Sequence, residues 1–164
     1  MEEAMVIRQI EKQDNEKVAL LIRAVLSEFD VPKVGTAYAD PQLDYMFEAY
    51  GVPRAVYFVI EENEIIIGGA GIMQLANESD TICELQKMYF LPEARGRGLG
   101  NQMMELCLTA AAGFGFEKCY LETMPYMKAA QKLYVLSGFE YLDSPMGCTG
   151  HTSCPVWMIK SLEP

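Results

Sequence analysis

The sequence predicts an α/β fold built on a mixed central sheet, from the arrangement of its β-branched runs. Residues 55–61 and 64–75 are β-branched and aromatic and are separated only by Glu62 and Asn63, the pattern of an antiparallel hairpin. A third long run, 81–91, leads through a glycine-rich turn into a helix-periodic segment and then a short apolar strand, the pattern of a βαβ unit. The 164 residues contain no repeat, low-complexity tract or linker-like run, so one domain spanning 1–164 is expected.

Taken in order, Met5–Ile10 reads as the first strand. Asp14 stands where a helix cap is needed, and Val18, Leu21, Ile22, Val25 and Leu26 then recur at helical spacing to about Phe29. Pro32, Gly35 and Pro41 mark a loop, after which a short helix is expected from Gln42 to Tyr50. The hairpin follows, then the strand 81–91, which Pro92 ends. Helical pattern runs from Gly98 to about Gly113, where Gly113-Phe114-Gly115 breaks it. Residues 118–123 form a short buried-type strand, Met127–Ser137 a helix stopped by Gly138, and the runs FEYL and VWMIK close the chain as strands. The resulting order is βααβββαβαββ.

Composition narrows the class. Hydrophobic residues make up 51% of the chain, yet no apolar stretch approaches the roughly 18 residues that span a bilayer. The first residues are acidic and soon polar, without a basic region followed by an apolar one, so a cytoplasmic protein with no membrane partner is expected. Five cysteines suit free thiols better than a disulfide framework, with Cys83, Cys107 and Cys119 as small buried hydrophobes. A net charge of -10 repels polyanions, which argues against nucleic acid, and the same field favours a cationic amine.

The most informative segment is Met88–Asn101, MYFLPEARGRGLGN. Gly96, Gly98 and Gly100 allow a tight turn whose backbone N–H groups approach a ligand closely, and the helix behind adds unpaired donors and a partial positive charge. Arg95 and Arg97 supply cations. Together these favour a phosphate. A P-loop is excluded because no Gly-Lys pair followed by Ser or Thr occurs, and a dinucleotide fingerprint because its third glycine position is Asn101.

Arg95-x-x-Gly98-x-Gly100 resembles the Q/R-x-x-G-x-G/A signature with which the GNAT superfamily of N-acetyltransferases binds the pyrophosphate of coenzyme A. The order of strands and helices resembles that family's order along essentially the whole chain. The resemblance implies a GNAT-like mixed, mostly antiparallel sheet flanked by helices, with acetyl-CoA as co-substrate. It implies that the amides of Gly96, Arg97, Gly98, Leu99, Gly100 and Asn101 hold the pyrophosphate. The pantetheine arm would pair with the strand at Met88, Tyr89 and Phe90, and the thioester would lie where that strand splays from the next. A homodimer follows from family habit alone.

Acyl transfer to an amine needs a base for the amine, donors for the oxyanion and a proton for the departing thiolate. Glu84 is the candidate base. Strand alternation places it on the face of Ile82, Gln86 and Met88, and it lies eleven residues before Arg95, where the family's histone acetyltransferase branch carries a glutamate. Pairing with Lys87, with a neighbouring strand or with water at a sheet edge is the alternative. Tyr134 is the candidate acid, because Ala130-x-x-x-Tyr134-x-x-x-Gly138-Phe139 resembles the family motif whose tyrosine lies near the thioester sulfur. A buried helix aromatic is the alternative there. Met127 departs from the pattern: many relatives carry an asparagine at this position to contact pantetheine, so either that contact is missing here or another group, such as Tyr126, replaces it. The oxyanion donor implied by the family is a backbone N–H near Met88.

The acceptor site implied by the family falls in residues 35–50 and 147–155. Tyr38, Asp44 and Tyr45 are candidates in the first segment, and the single histidine, His151, in the second. Cys148-x-x-His151-x-x-Cys154 offers only three ligands and no second cluster, so no metal is expected. No cysteine sits in a nucleophile motif, which favours direct attack by the amine. A non-catalytic acyl-CoA-binding sensor or protein-interaction module, and the same fold using a longer acyl donor, stay open as alternatives.

Overall fold

A computed structural model describes residues 5–30, 38, 40–147 and 156–162. The chain runs β1 (Met5–Gln9), α1 (Asn15–Glu28), α2 (Met46–Ala49), β2 (Val56–Glu62), β3 (Ile65–Gln74), β4 (Ile82–Phe90), α3 (Leu99–Gly113), β5 (Lys118–Thr123), α4 (Lys128–Leu136), β6 (Glu140–Leu142) and β7 (Val156–Ser161). The predicted order of strands and helices is recovered. All seven strands join one sheet in the order β1-β2-β3-β4-β5-β7-β6. Every neighbouring pair is antiparallel except β4 with β5, which α3 connects.

Each face of the sheet carries its own core. On one face α3 and α4 bury Leu99, Met103, Cys107 and Tyr134 against Ile72, Leu85 and Leu121. On the other, Val18, Ile22, Val25 and Leu26 of α1 pack with Met46, Tyr50, Tyr57 and Val59. Sandwiched between these layers, β3 is buried without interruption from Ile66 to Ile72, as expected for a strand covered on both faces. The β2–β3 hairpin closes through Asn63 and Glu64, both at positive φ (52° and 67°), a turn whose twist matches that of the strands. Cys83, Cys107 and Cys119 are buried free thiols, as anticipated.

Two local expectations are corrected. The segment 42–50 is a 3-10 turn, Pro41–Tyr45, followed by the single turn of α2; Tyr45 leaves helical geometry (φ -135°, ψ 41°) and separates them. Asp14 does not cap α1 with its side chain. Its buried carboxylate instead accepts from Arg8 at 2.7 and 3.0 Å and from the Glu11 N–H at 2.7 Å. A charge-assisted pair with a guanidinium is the stronger partner for a carboxylate out of water.

A bulge in β4 reorganises the site. Gly71 pairs with Gln86 but Gly69 pairs with Tyr89, so Lys87 and Met88 together face Ala70. Lys87 takes the strained φ of 51°, and the buried Tyr57 hydroxyl donates to its carbonyl at 2.8 Å. Glycine is required opposite: a Cβ on Gly69 or Gly71 would stand 2.6 Å from Tyr57. The bulge also breaks the alternation used to place Glu84. Glu84 hydrogen-bonds Gln86, but Met88 and Phe90 turn to the α3 face while Tyr89 turns to the α1 face. Glu84 therefore does not share a face with Met88.

Candidate active site

β4 and β5 pair only from Ile82–Lys118 to Glu84–Tyr120. Beyond Glu84 the edge of β4 that faced β5 is left without that ladder, and a cleft of about 310 Å³ opens beside it. Met88, Tyr89 and Phe90 form one wall, and Tyr134, Leu133 and residues 127–130 at the start of α4 the opposite one. Arg95, Gly96, Gly98, Leu99 and Gly100 close one end. The segments predicted to hold a cofactor and Tyr134 thus border one space.

The turn has the backbone geometry that its glycines suggest. Gly96 and Gly98 lie at φ 73° and 76°, a region that costs other residues strain, and Gly98 is the N-cap of α3. The first ladder bond of α3 is donated by Gln102 to the Gly98 carbonyl at 3.3 Å. The amides of Leu99, Gly100 and Asn101 are thus first-turn donors without an intrahelical acceptor, at the positive end of a fifteen-residue helix.

The two arginines are held by carboxylates. Arg95 makes two 2.7 Å bonds to Glu28 of α1, donates to the Phe90 carbonyl at 2.9 and 3.1 Å, and lies over the Phe29 ring at 5.3 Å. Arg97 binds Glu62 at 2.5 and 3.1 Å. Their charge is largely balanced by these partners, so backbone donors and the helix dipole dominate the attraction for an anion.

Tyr134 is 7% exposed, and its ring meets Phe139 edge-on with centroids 6.0 Å apart. Burial raises its phenol above the ordinary value, so it stays protonated. Glu84 is 4% exposed and accepts from Gln86 Nε2 at 2.6 Å. Burial pushes its carboxyl up to about 7, opposed by the Gln86 donor and Lys87 and reinforced by Glu122 and Asp40. The alternative pairing of Glu84 with Lys87 is not what the structure holds: Lys87 Nζ lies 3.4 Å from Asp40 and over the Tyr50 ring.

Glu84, Arg97, Asn101, Tyr38 and Tyr126 do not line the cleft among the described residues. Tyr38 packs on the α1-side core, and Tyr126 is exposed. Asp44 pairs with Arg23 at 2.8 Å, and Tyr45 is exposed. His151, Cys148 and Cys154 lie outside the described residues. The described residues contain no cluster of three or more metal-ligating side chains.

The sequence reading missed Val25 of α1 and Phe29, the residue that ends that helix, as cleft residues. Val25 carries the helical core signal and nothing more, and only the docking of α1 beside the turn through Glu28 and Arg95 reveals its second role. Met127, at the departure from the family pattern, does line the cleft, and its sulfur accepts from Thr123 Oγ1 at 3.7 Å.

The acetyltransferase (GNAT) family model matches residues 22–139, and the chain belongs to that family. It is 42% identical over 158 residues to the Escherichia coli K12 protein named uncharacterized N-acetyltransferase YjgM, covering 96% of this chain and 95% of that one. A GNAT-family acetyltransferase from Staphylococcus aureus Mu50 superposes with a TM-score of 0.86 at 18% identity, covering 98% of this chain and all of that one, 100%. A phosphinothricin acetyltransferase from Sinorhizobium meliloti, solved with acetyl-CoA, gives 0.74 at 20% identity, over 96% of this chain and 88% of that one.

Proposed function

We propose that the protein transfers the acetyl group of acetyl-CoA to a primary amine of a small molecule or peptide by direct attack. One observation carries the reading: a single cleft joins first-turn amides, an open strand edge and the Tyr134 ring. The amides of Gly96, Gly98, Leu99 and Gly100, which line the cleft, hold the pyrophosphate of coenzyme A, and the backbone of Met88–Phe90 pairs with the pantetheine arm. The acetyl-CoA complex of the Sinorhizobium protein supports the same donor here.

Glu84 takes a proton from the ammonium, through water, because the carboxylate lies outside the cleft wall. The amine nitrogen then bonds to the thioester carbonyl carbon, and the oxyanion accepts from a backbone N–H near Met88. As the C–S bond breaks, Tyr134 gives its proton to the departing thiolate, and the second proton of the attacking nitrogen returns to the tyrosinate, leaving amide and free coenzyme A. A carboxyl near 7 suits a base that must be ionised yet still accept a proton at neutral pH. The net charge of -10 favours a cationic acceptor over an anionic one.

The test is a screen of purified protein with acetyl-CoA and a panel of amines, following free-thiol release. Turnover on one or more amines supports the reading; acetyl-CoA binding with no thiol release on any favours a sensor. A series of longer acyl-CoA donors fixes the chain length. Direct attack predicts that no acetyl-enzyme accumulates when the acceptor is left out.

A further inference from the structure

On the α1 face of the sheet, a chain of polar groups leads from the core to Glu84. Tyr50 ends α2 at 5% exposure, its ring 5.2 Å from that of Tyr57. Its hydroxyl hydrogen-bonds Gln86 Oε1, and Gln86 Nε2 donates to Glu84 Oε1 at 2.6 Å. Chemistry fixes the direction of this chain. An ionised carboxylate only accepts, so Gln86 must turn its NH2 toward Glu84 and its carbonyl toward Tyr50. Tyr50 must then donate, and burial keeps its phenol protonated at every working pH.

We infer that Gln86 and Tyr50 are positioning residues for Glu84, with Tyr50 locking the Gln86 amide in the one orientation that serves the ionised base. This rests on the reading of Glu84 as base. The chain does two things. It fixes the Glu84 side chain at the last position where β4 pairs with β5, where those two strands part. It also supplies a donor that favours the ionised carboxylate against the cost of burial.

The other groups around Glu84 do not replace that donor. Glu122 and Tyr120 approach from β5, with the Tyr120 hydroxyl donating to Glu122 at 2.6 Å. Lys87 approaches from β4 itself, but its ammonium lies against Asp40. Among the hydrogen bonds of the described residues, the only one to Glu84's carboxylate comes from Gln86.

The experiment compares kcat/KM against pH for wild type, Gln86→Met, Tyr50→Phe and Glu84→Gln, with acetyl-CoA binding by calorimetry as the check on folding. Losing a donor to the ionised form raises the pKa of Glu84. Gln86→Met should therefore move the acidic limb to higher pH by about one unit, an approximately tenfold loss of kcat/KM below the limb and little above it. Tyr50→Phe should move it the same way by less, since the amide is kept but freed to rotate. Acetyl-CoA affinity should stay within about twofold in both. Glu84→Gln should remove the limb.

If Glu84→Gln leaves the limb in place, the reading of Glu84 as base fails. If it removes the limb while Gln86→Met and Tyr50→Phe leave it at the wild-type pH, the positioning inference alone is overturned. Should Gln86→Met fail to fold, Tyr50→Phe removes a single oxygen and decides the matter by the same readout.

Discussion

At the scale of single residues, Glu84 is a carboxylate that the fold holds at a cost. Its folded pKa is raised, so between the ordinary carboxylate range and about 7 the native state binds more protons than the unfolded chain. Stability must then fall as pH rises through that window. Glu84→Gln should raise the melting temperature at pH 8, by up to about 3 kcal/mol of stability, and leave it nearly unchanged at pH 4. The same variant should lower kcat about 10²- to 10⁴-fold with acetyl-CoA affinity kept. Thermal melts at both pH values and calorimetry with acetyl-CoA check the two parts separately. Tyr134 makes a simpler case. Tyr134→Phe keeps the ring against Phe139 and removes only the proton donor, so kcat should fall by at least about tenfold with the fold intact. A wild-type rate would exclude the acid role.

Among elements, the bulge in β4 is built from three strands. β2 supplies Tyr57, β3 supplies the glycines that make room for its ring, and β4 supplies the Lys87 carbonyl that its hydroxyl holds. None of these roles is visible in β4 itself. Tyr57→Phe leaves the buried Lys87 carbonyl without that donor and should cost about 1–3 kcal/mol in urea unfolding. Because the next residue, Met88, lines the cleft, kcat should fall more than the KM for acetyl-CoA rises. A second element-scale device ties α1 to the glycine turn through Glu28 and Arg95. It brings Val25 and Phe29 to the cleft, an assignment that no pattern within α1 could have announced.

At the scale of the whole molecule, the cleft is bordered by α1, β4, α3 and α4, which belong to both faces of the divided sheet. A ligand there bridges the two cores, so binding should stabilise the fold as a unit. Acetyl-CoA at about a hundred times its Kd adds about 2.7 kcal/mol, which corresponds to a rise of about 5 to 10 °C in Tm. A thermal-shift titration measures this directly, and no shift at saturating acetyl-CoA would count against the cleft as its site.

The sequence by itself determined the order of strands and helices, because periods of 2 and 3.6 residues are local properties of the chain. It also determined the glycine turn, since Arg95, Gly98 and Gly100 lie within six consecutive residues whose backbone needs are local. The tertiary structure alone decided which way Met88 faces, what Arg95 and Arg97 pair with, and what surrounds Glu84. The reason is physical. Alternation along β4 holds only until a neighbouring strand forces an extra residue into it, and Tyr57, which holds that residue, lies thirty positions earlier in the chain. Likewise Arg95 meets Glu28 across sixty-seven positions. Such partners are chosen by packing, after the local patterns have already been spent.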